Sequence, residues 1–234
     1  MRRILWIIKN ILKYRALKLK KIQSIERLVD THFKNWSEEN HINRNGLSLA
    51  LNEISRDKPI VVETGTSAYG TDSSRLFDSL VRFYSGSLYS VDIDPSTSRR
   101  LIYQHSNRSH FYVDDSVNFL TNTLQKLTTK VDLFYLDSWD VDWDSPLESA
   151  QHGLAEFRAL AKFIRKGTIL VVDDTPATIE YIPKRFHKNV LKFQDEFGVL
   201  PGKGALIIKE LKNIKSAKIL SHEYNIVVKF TDAI

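Results

Sequence analysis

Between residues 60 and 172 the chain repeats one pattern: a short, mainly apolar run closed by small and acidic residues. Ile60-Val61-Val62 leads into Glu63-Thr64-Gly65-Thr66, and Leu88–Val91 into Asp92-Ile93-Asp94-Pro95. His110–Val113 leads into Asp114-Asp115-Ser116, Val131–Leu136 into Asp137-Ser138-Trp139-Asp140, and Thr168–Val172 into Asp173-Asp174. Such runs are too short for helices, and runs this apolar suit strands covered on both faces, as in a parallel sheet. The stretches between them predict helices over Ser73–Tyr84, Pro95–Tyr103, Ser116–Leu127 and Pro146–Ile164. Pro95 suits a first helical turn, and Lys166-Gly167 is a C-terminal stop signal. Five strand–helix units therefore run to about residue 190. Lys218–Ser221 and Tyr224–Lys229 predict two further strands, an antiparallel pair at the sheet edge. The expected fold is α/β, with a mostly parallel seven-stranded sheet and an antiparallel last strand, over residues 56–234.

The first 55 residues follow another rhythm. Leu5, Ile8, Leu12, Leu19, Ile22 and Val29 recur at helical spacing with Lys and Arg between them, which predicts an amphipathic helix over residues 4–29. Helix is expected to continue over Thr31–Glu39, to break at Asn40–Asn45 and to resume over Gly46–Ile54. Phe33 and Trp36 read as packing residues rather than the lining of a substrate entrance. Residues 1–27 hold nine Lys and Arg against Glu26 alone, a charge of +8, which leaves −2 for the remainder of a chain of net charge +6. The basicity thus belongs to an N-terminal helical extension. It fits packing against the domain or a second subunit of a homo-oligomer, an anionic membrane surface, or nucleic acid.

The chain has no Cys, which excludes disulfides, thiolate metal sites and cysteine nucleophiles. No apolar run reaches the ~18 residues of a spanning helix. Ile4–Ile8 is too short for a secretory signal, so the expected location is cytoplasmic, with a peripheral membrane contact through residues 1–27 as one reading.

Strand, small-residue turn, helix is how a parallel sheet builds a nucleotide pocket: glycine lets the backbone approach the ligand, and helix-start N–H groups face it. Thr64, Gly65, Thr66 and Ser74 are the candidates in the first unit. Neither phosphate signature is present, since Thr71-Asp72 follows Gly70 where a P-loop needs Lys-Ser/Thr. Pro201-Gly202-Lys203-Gly204 likewise lacks that context and reads as a substrate lid or a turn before a helix to about Asn213. Glu63 would repel a pyrophosphate and suits a ligand with a cationic or hydroxyl-bearing part. Asp92, about 30 residues beyond the glycine turn, is placed to accept two hydrogen bonds from ribose hydroxyls. Asp137, Asp173 and Asp174 end neighbouring strands. Three converging carboxylates repel one another unless protonated or bridged by a cation, and oxygen donors suit Mg²⁺, Ca²⁺ or Mn²⁺.

Glu63-Thr64-Gly65-Thr66 after an apolar strand resembles the first motif of class I methyltransferases that use S-adenosylmethionine, a Rossmann-like fold. With Leu136-Asp137-Ser138-Trp139-Asp140 and Val171-Val172-Asp173-Asp174, the chain over about residues 60 to 175 resembles their divalent-metal-dependent O-methyltransferases, of the catechol and macrolide-sugar types. The resemblance implies S-adenosylmethionine as cofactor, with the adenine at Asp115 and Ser116 and a further cofactor contact at Asp137, and Mg²⁺ on Asp137, Asp173 and Asp174. It implies a sugar, glycan or other small-molecule hydroxyl as methyl acceptor. One position departs from it. Three residues after the first metal aspartate those enzymes carry Lys or His as general base, and here Asp140 stands there. His152 and Glu156, at i and i+4 on one helix face, are the other candidate bases. Two further readings stand beside this one. The first is an RNA methyltransferase gripping phosphates through the basic helix, against which the net-acidic body argues. The second is a non-catalytic Rossmann-like binding protein.

Overall fold

A computed structural model describes residues 24–66 and 70–234. Among the described residues two helices come first, α1 (Ile25–Trp36) and α2 (Arg44–Glu53). Then follow β1 (Ile60–Thr64), α3 (Ser73–Phe83), β2 (Ser87–Asp92), α4 (Pro95–Ile102) and β3 (Ser109–Val113). A helical run over residues 116–127, α5, has a π-helical middle at Phe119–Thr123. Next come β4 (Leu133–Leu136), α6 (Leu147–Leu160), β5 (Ile169–Val172), α7 (His187–Phe197) and α8 (Ala205–Leu211), with β6 (Ala217–His222) and β7 (Ile226–Phe230) closing the chain.

The sheet has seven strands in the order β3-β2-β1-β4-β5-β7-β6. β1 to β5 are parallel, and β7 runs antiparallel to both β5 and β6. This is the expected fold class. Alternate strand residues point to opposite faces, and each face has its own core. Val61, Leu88, Leu133, Tyr135, Ile169, Val171 and Val227 pack under α1, α2 and α3. Val62, Val91, Phe134, Leu136, Leu170, Val172 and Val228 pack under α5, α6 and α8.

Most of the expected helix over residues 4–29, up to residue 23, lies outside the described residues. Within them the expected continuity fails at Ser24, whose extended backbone (φ −155, ψ 162) caps α1 and whose hydroxyl accepts from Arg27 N at 3.2 Å. Serine offers the first-turn N–H an oxygen, and that capping bond outweighs the apolar period running through it. The helix also stops at Trp36, short of Glu39. α1 and α2 are not a detached extension. Ile25, Leu28, Val29, Phe33, Leu47, Ala50 and Leu51 are buried in the first core. No helix of the described residues is long and apolar enough to cross a membrane.

Candidate active site

The carboxyl ends of β1, β2, β4 and β5 lie side by side, and backbone bonds continue past them. Gly65 N donates to Val91 O at 2.9 Å, Asp137 N to Thr64 O at 2.9 Å, and Asp173 N to Leu136 O at 3.0 Å. The residues that end these strands are thereby brought to one edge, where parallel sheets bind ligands. Gly65 has φ +77, and a Cβ there would run into the Asp137 carbonyl, so the β1 turn closes against β4 only with glycine.

Glu63 turns away from the ligand edge. It is 0% exposed and accepts from Ser73 Oγ at 2.6 Å, Ser74 Oγ at 2.5 Å and Ser90 Oγ at 2.6 Å. Burial pushes its carboxyl up to about 7, against the pull of these three hydroxyls. Glu63 and Ser74, expected at the ligand, bond one another beneath the turn, between α3, β1 and β2. Thr64 Oγ1, by contrast, is buried without a hydrogen-bond partner. Such an orphan one residue before the turn is a group that a ligand or an ordered water would satisfy.

Asp92 ends β2 only partly buried, at the ligand edge. Its Oδ2 accepts from Thr66 N at 3.0 Å and its Oδ1 from Asp94 N at 2.8 Å. Two backbone donors fix the carboxylate, and each oxygen keeps a lone pair for a further donor. Thr66 Oγ1 pairs with Ser90 Oγ at 2.9 Å.

At the next corner Asp115 is exposed and caps α5, its Oδ1 accepting from Asn118 N at 2.9 Å. Ser116 Oγ lies 2.9 Å from His152 Nε2, which is also 3.0 Å from Ser138 Oγ. Ser138 Oγ in turn donates to Glu156 Oε1 at 2.7 Å. The Glu156 carboxylate, 3.7 Å from the imidazole, holds His152 above the ordinary histidine range, and the Trp139 ring lies 5.0 Å from the His152 ring. His152 and Glu156 do share one helix face, as their spacing predicts. That face meets Ser116 and Ser138, the corner assigned to adenine, and Glu156 is buried there. Asp140 is exposed on the loop after β4.

Asp137, Asp173 and Asp174 converge as expected, around Lys203 of the Pro201–Gly204 loop. Lys203 Nζ donates to Asp137 Oδ1 and lies 2.9 Å from Asp174 Oδ2, and Lys203 is 2% exposed. Burial lowers Lys203, but Asp137, Asp174 and Asp173 outweigh it and hold the ammonium well above the usual lysine range. Asp173 has its own donors: Tyr135 Oη, Asn43 Nδ2 at 2.6 Å and Asp174 N at 2.8 Å. Burial, then the neighbouring Asp174, push Asp173 up to about 6. Tyr224 Oη donates to Asp174 Oδ1 at 2.6 Å, and Asp174 sits at φ +42.

This donor set does not fit a divalent ion. Each carboxylate is already engaged by Lys203, Tyr135, Asn43 or Tyr224, and an ammonium and a dication in one nest would repel. Among the described residues no group of three or more His, Cys, Asp or Glu is disposed to hold a metal. The set at the ends of β1 to β3 does fit S-adenosylmethionine, with Asp92 for a ribose, the Gly65 turn and the unpaired Thr64 hydroxyl beside it, and Ser116 at the base corner. Two members escaped the sequence reading. Lys203 was flagged only by its flanking glycines, and Asn43 by nothing local.

Residues 62–175 match the family described as methyltransferase domain. No curated protein matches the chain. Among solved structures, the methyltransferase MycE of the mycinamycin biosynthetic pathway, in complex with Mg, SAH and mycinamycin VI, aligns with TM-score 0.62 at 16% identity. That alignment covers 91% of this chain and 54% of MycE, so the chain spans about half of MycE's length. The O-methyltransferase TomG from Streptomyces achromogenes, involved in tomaymycin synthesis and in complex with SAM, aligns with TM-score 0.52 at 16% identity. It covers 94% of this chain and 95% of TomG. Residues 62–175 are thus similar to a methyltransferase domain, and the chain shares the Rossmann-like fold of these two methyltransferases.

Proposed function

We propose that the protein transfers the methyl group of S-adenosylmethionine to the hydroxyl oxygen of a small molecule, a sugar or a related natural-product alcohol or phenol. The observation that carries the reading is Asp92, held by Thr66 N and Asp94 N at the end of β2 beside the glycine turn. The oxygen specificity draws on TomG, whose length this chain matches almost throughout. It also draws on charge: exposed Asp140, Asp142 and Asp144 follow β4, and an acidic rim favours a sulfonium and a neutral acceptor over a phosphate backbone.

When bound, the cofactor supplies an electrophilic methyl on a sulfonium. Asp92 holds the ribose, Ser116 and Ser138 shape the base corner, and the His152–Glu156 pair positions those serines. With the cofactor bound, Asp140, the exposed carboxylate next to the β4 end, would take the proton that the acceptor hydroxyl gives up as its oxygen accepts the methyl. Most of the acceleration comes from alignment. The basic stretch over residues 1–27 holds the domain to an anionic surface, in keeping with its charge of +8. Incubation with methyl-labelled S-adenosylmethionine and a panel of sugar, phenol and polyketide alcohols tests the reading. The label is expected on oxygen in one class of acceptor; label on nitrogen or carbon, with none on oxygen, overturns the assignment.

A further inference from the structure

The Pro201–Gly204 loop is built to deliver one side chain. Lys203 N donates to Asp174 O at 3.0 Å, and Gly204 N donates to Thr175 Oγ1 at 2.9 Å. Gly202 sits at φ +148, where a Cβ would strike the Asp174 carbonyl, and a Cβ on Gly204 would lie 2.6 Å from Thr175 Oγ1. On the other side, a Cβ on Gly153 of α6 would meet the Lys203 carbonyl. Three glycines are therefore needed for the loop to lie flat between α6 and the residues after β5. The side chain it carries is buried, and its ammonium spans the carboxylates of Asp137 and Asp174. Burying an ammonium is costly unless it is paired, and so is bringing carboxylates together without a cation. Each half of this arrangement removes the cost of the other.

We propose that the Lys203 ammonium is the resident cation of this site, standing between Asp137 and Asp174 where a divalent ion would otherwise bridge them. The protein then needs no divalent metal at this position. Only the consequence for turnover rests on the proposed methyl transfer; the binding claim stands without it. Lys203 is a positioning residue: it fixes Asp137 at the end of β4 and Asp174 at the end of β5, and through them the shape of the cleft.

The test is Mn²⁺ titration of the full chain, freed of metal, followed by calorimetry and by the electron-paramagnetic signal of free Mn²⁺. The wild type is expected to show no saturable site at millimolar Mn²⁺. Lys203→Ala removes the ammonium and leaves the carboxylates, and is expected to gain one Mn²⁺ site at least ten-fold tighter than any wild-type binding. Adding Asp137→Asn should abolish that site. Lys203→Ser serves if the alanine variant does not fold, and the wild-type titration decides by itself if neither does. One wild-type Mn²⁺ site that Asp137→Asn abolishes would overturn the proposal. So would a folded Lys203 variant that gains no site, since the ammonium would then not occupy a cation position. Both readouts are independent of turnover, so an inactive preparation bears on the proposed function and leaves this inference unaffected.

Discussion

Asn43 Nδ2 lies 2.6 Å from Asp173 Oδ2, joining residues 130 positions apart. Asn43 is the N-cap of α2, yet its side chain makes no capping bond. Its amide is given to Asp173 and, at 3.4 Å, to Thr71 Oγ1, while its own oxygen faces Asn225 Nδ2 at 3.4 Å. The segment before β1 is thus bonded to the end of β5 and to the stretch that opens α3.

Asn43→Ala is accordingly expected to destabilise the fold. It leaves a buried carboxylate short of a donor, and a hydrogen bond to a charged group contributes about 1.5–3 kcal/mol. Urea unfolding of the two proteins measures the difference. A loss within about 0.5 kcal/mol, the range of ordinary surface changes, would mean that the bond adds nothing.

Glu63 gives a pH dependence opposite in sign to that of an ordinary paired carboxylate. Its folded pKa, about 7, lies above its ordinary value of 4.5. Its contribution is complete below 4.5, where both states hold the proton, and is lost as pH rises through 7, because the unfolded chain ionises first. The loss amounts to about 3 kcal/mol. Glu63→Gln keeps the neutral shape and cannot ionise. Relative to wild type, the variant is expected to gain stability between pH 5 and pH 8, which chemical unfolding at the two values would show. Parallel pH profiles for the two proteins would exclude a raised Glu63.

The strands and the acids near their ends were legible because burial on both faces favours mainly apolar runs, and acidic residues stand where those runs end. The ladder from Val61 to Val172 follows that rule. What was not legible depends on contacts distant in sequence. The apolar period of residues 4–29 runs through Ser24, and only the structure shows the cap there. Nothing local tells that Asn43 forgoes its cap for Asp173, or that the lysine of Pro201-Gly202-Lys203-Gly204 returns to Asp137. Three converging carboxylates call for protonation or a cation, and the sequence does not tell that the Lys203 ammonium, 66 positions beyond Asp137, lies among them. The face shared by His152 and Glu156 was legible from their spacing, whereas its target, the pair Ser116 and Ser138, was set by the packing of α6 on α5.

Removal of residues 1–23 is expected to leave S-adenosylmethionine affinity unchanged, because the described site residues lie between Asn43 and Tyr224. The cut belongs before Ser24, since Ile25 and Leu28 are core residues. Basic residues near an anionic lipid surface contribute about 1 kcal/mol each, and salt screens them. The full chain is expected to pellet with phosphatidylserine vesicles at low salt and to be released at high salt, while the truncated chain stays in solution. Co-sedimentation at the two ionic strengths is the measurement, and equal partitioning of both forms would remove the membrane role.

The central claim, a cofactor site organised by Asp92 at the end of β2, is tested most directly by calorimetric titration of S-adenosylmethionine into the wild type and Asp92→Ala, with thermal melts to establish that both are folded. Loss of charge-assisted hydrogen bonds of about 1.5–3 kcal/mol corresponds to roughly ten- to a hundred-fold weaker binding. A saturable isotherm is expected for the wild type, and a dissociation constant raised by that factor for the variant. A folded wild type that gives no binding heat at any temperature tried, or a variant with unchanged affinity, would contradict it.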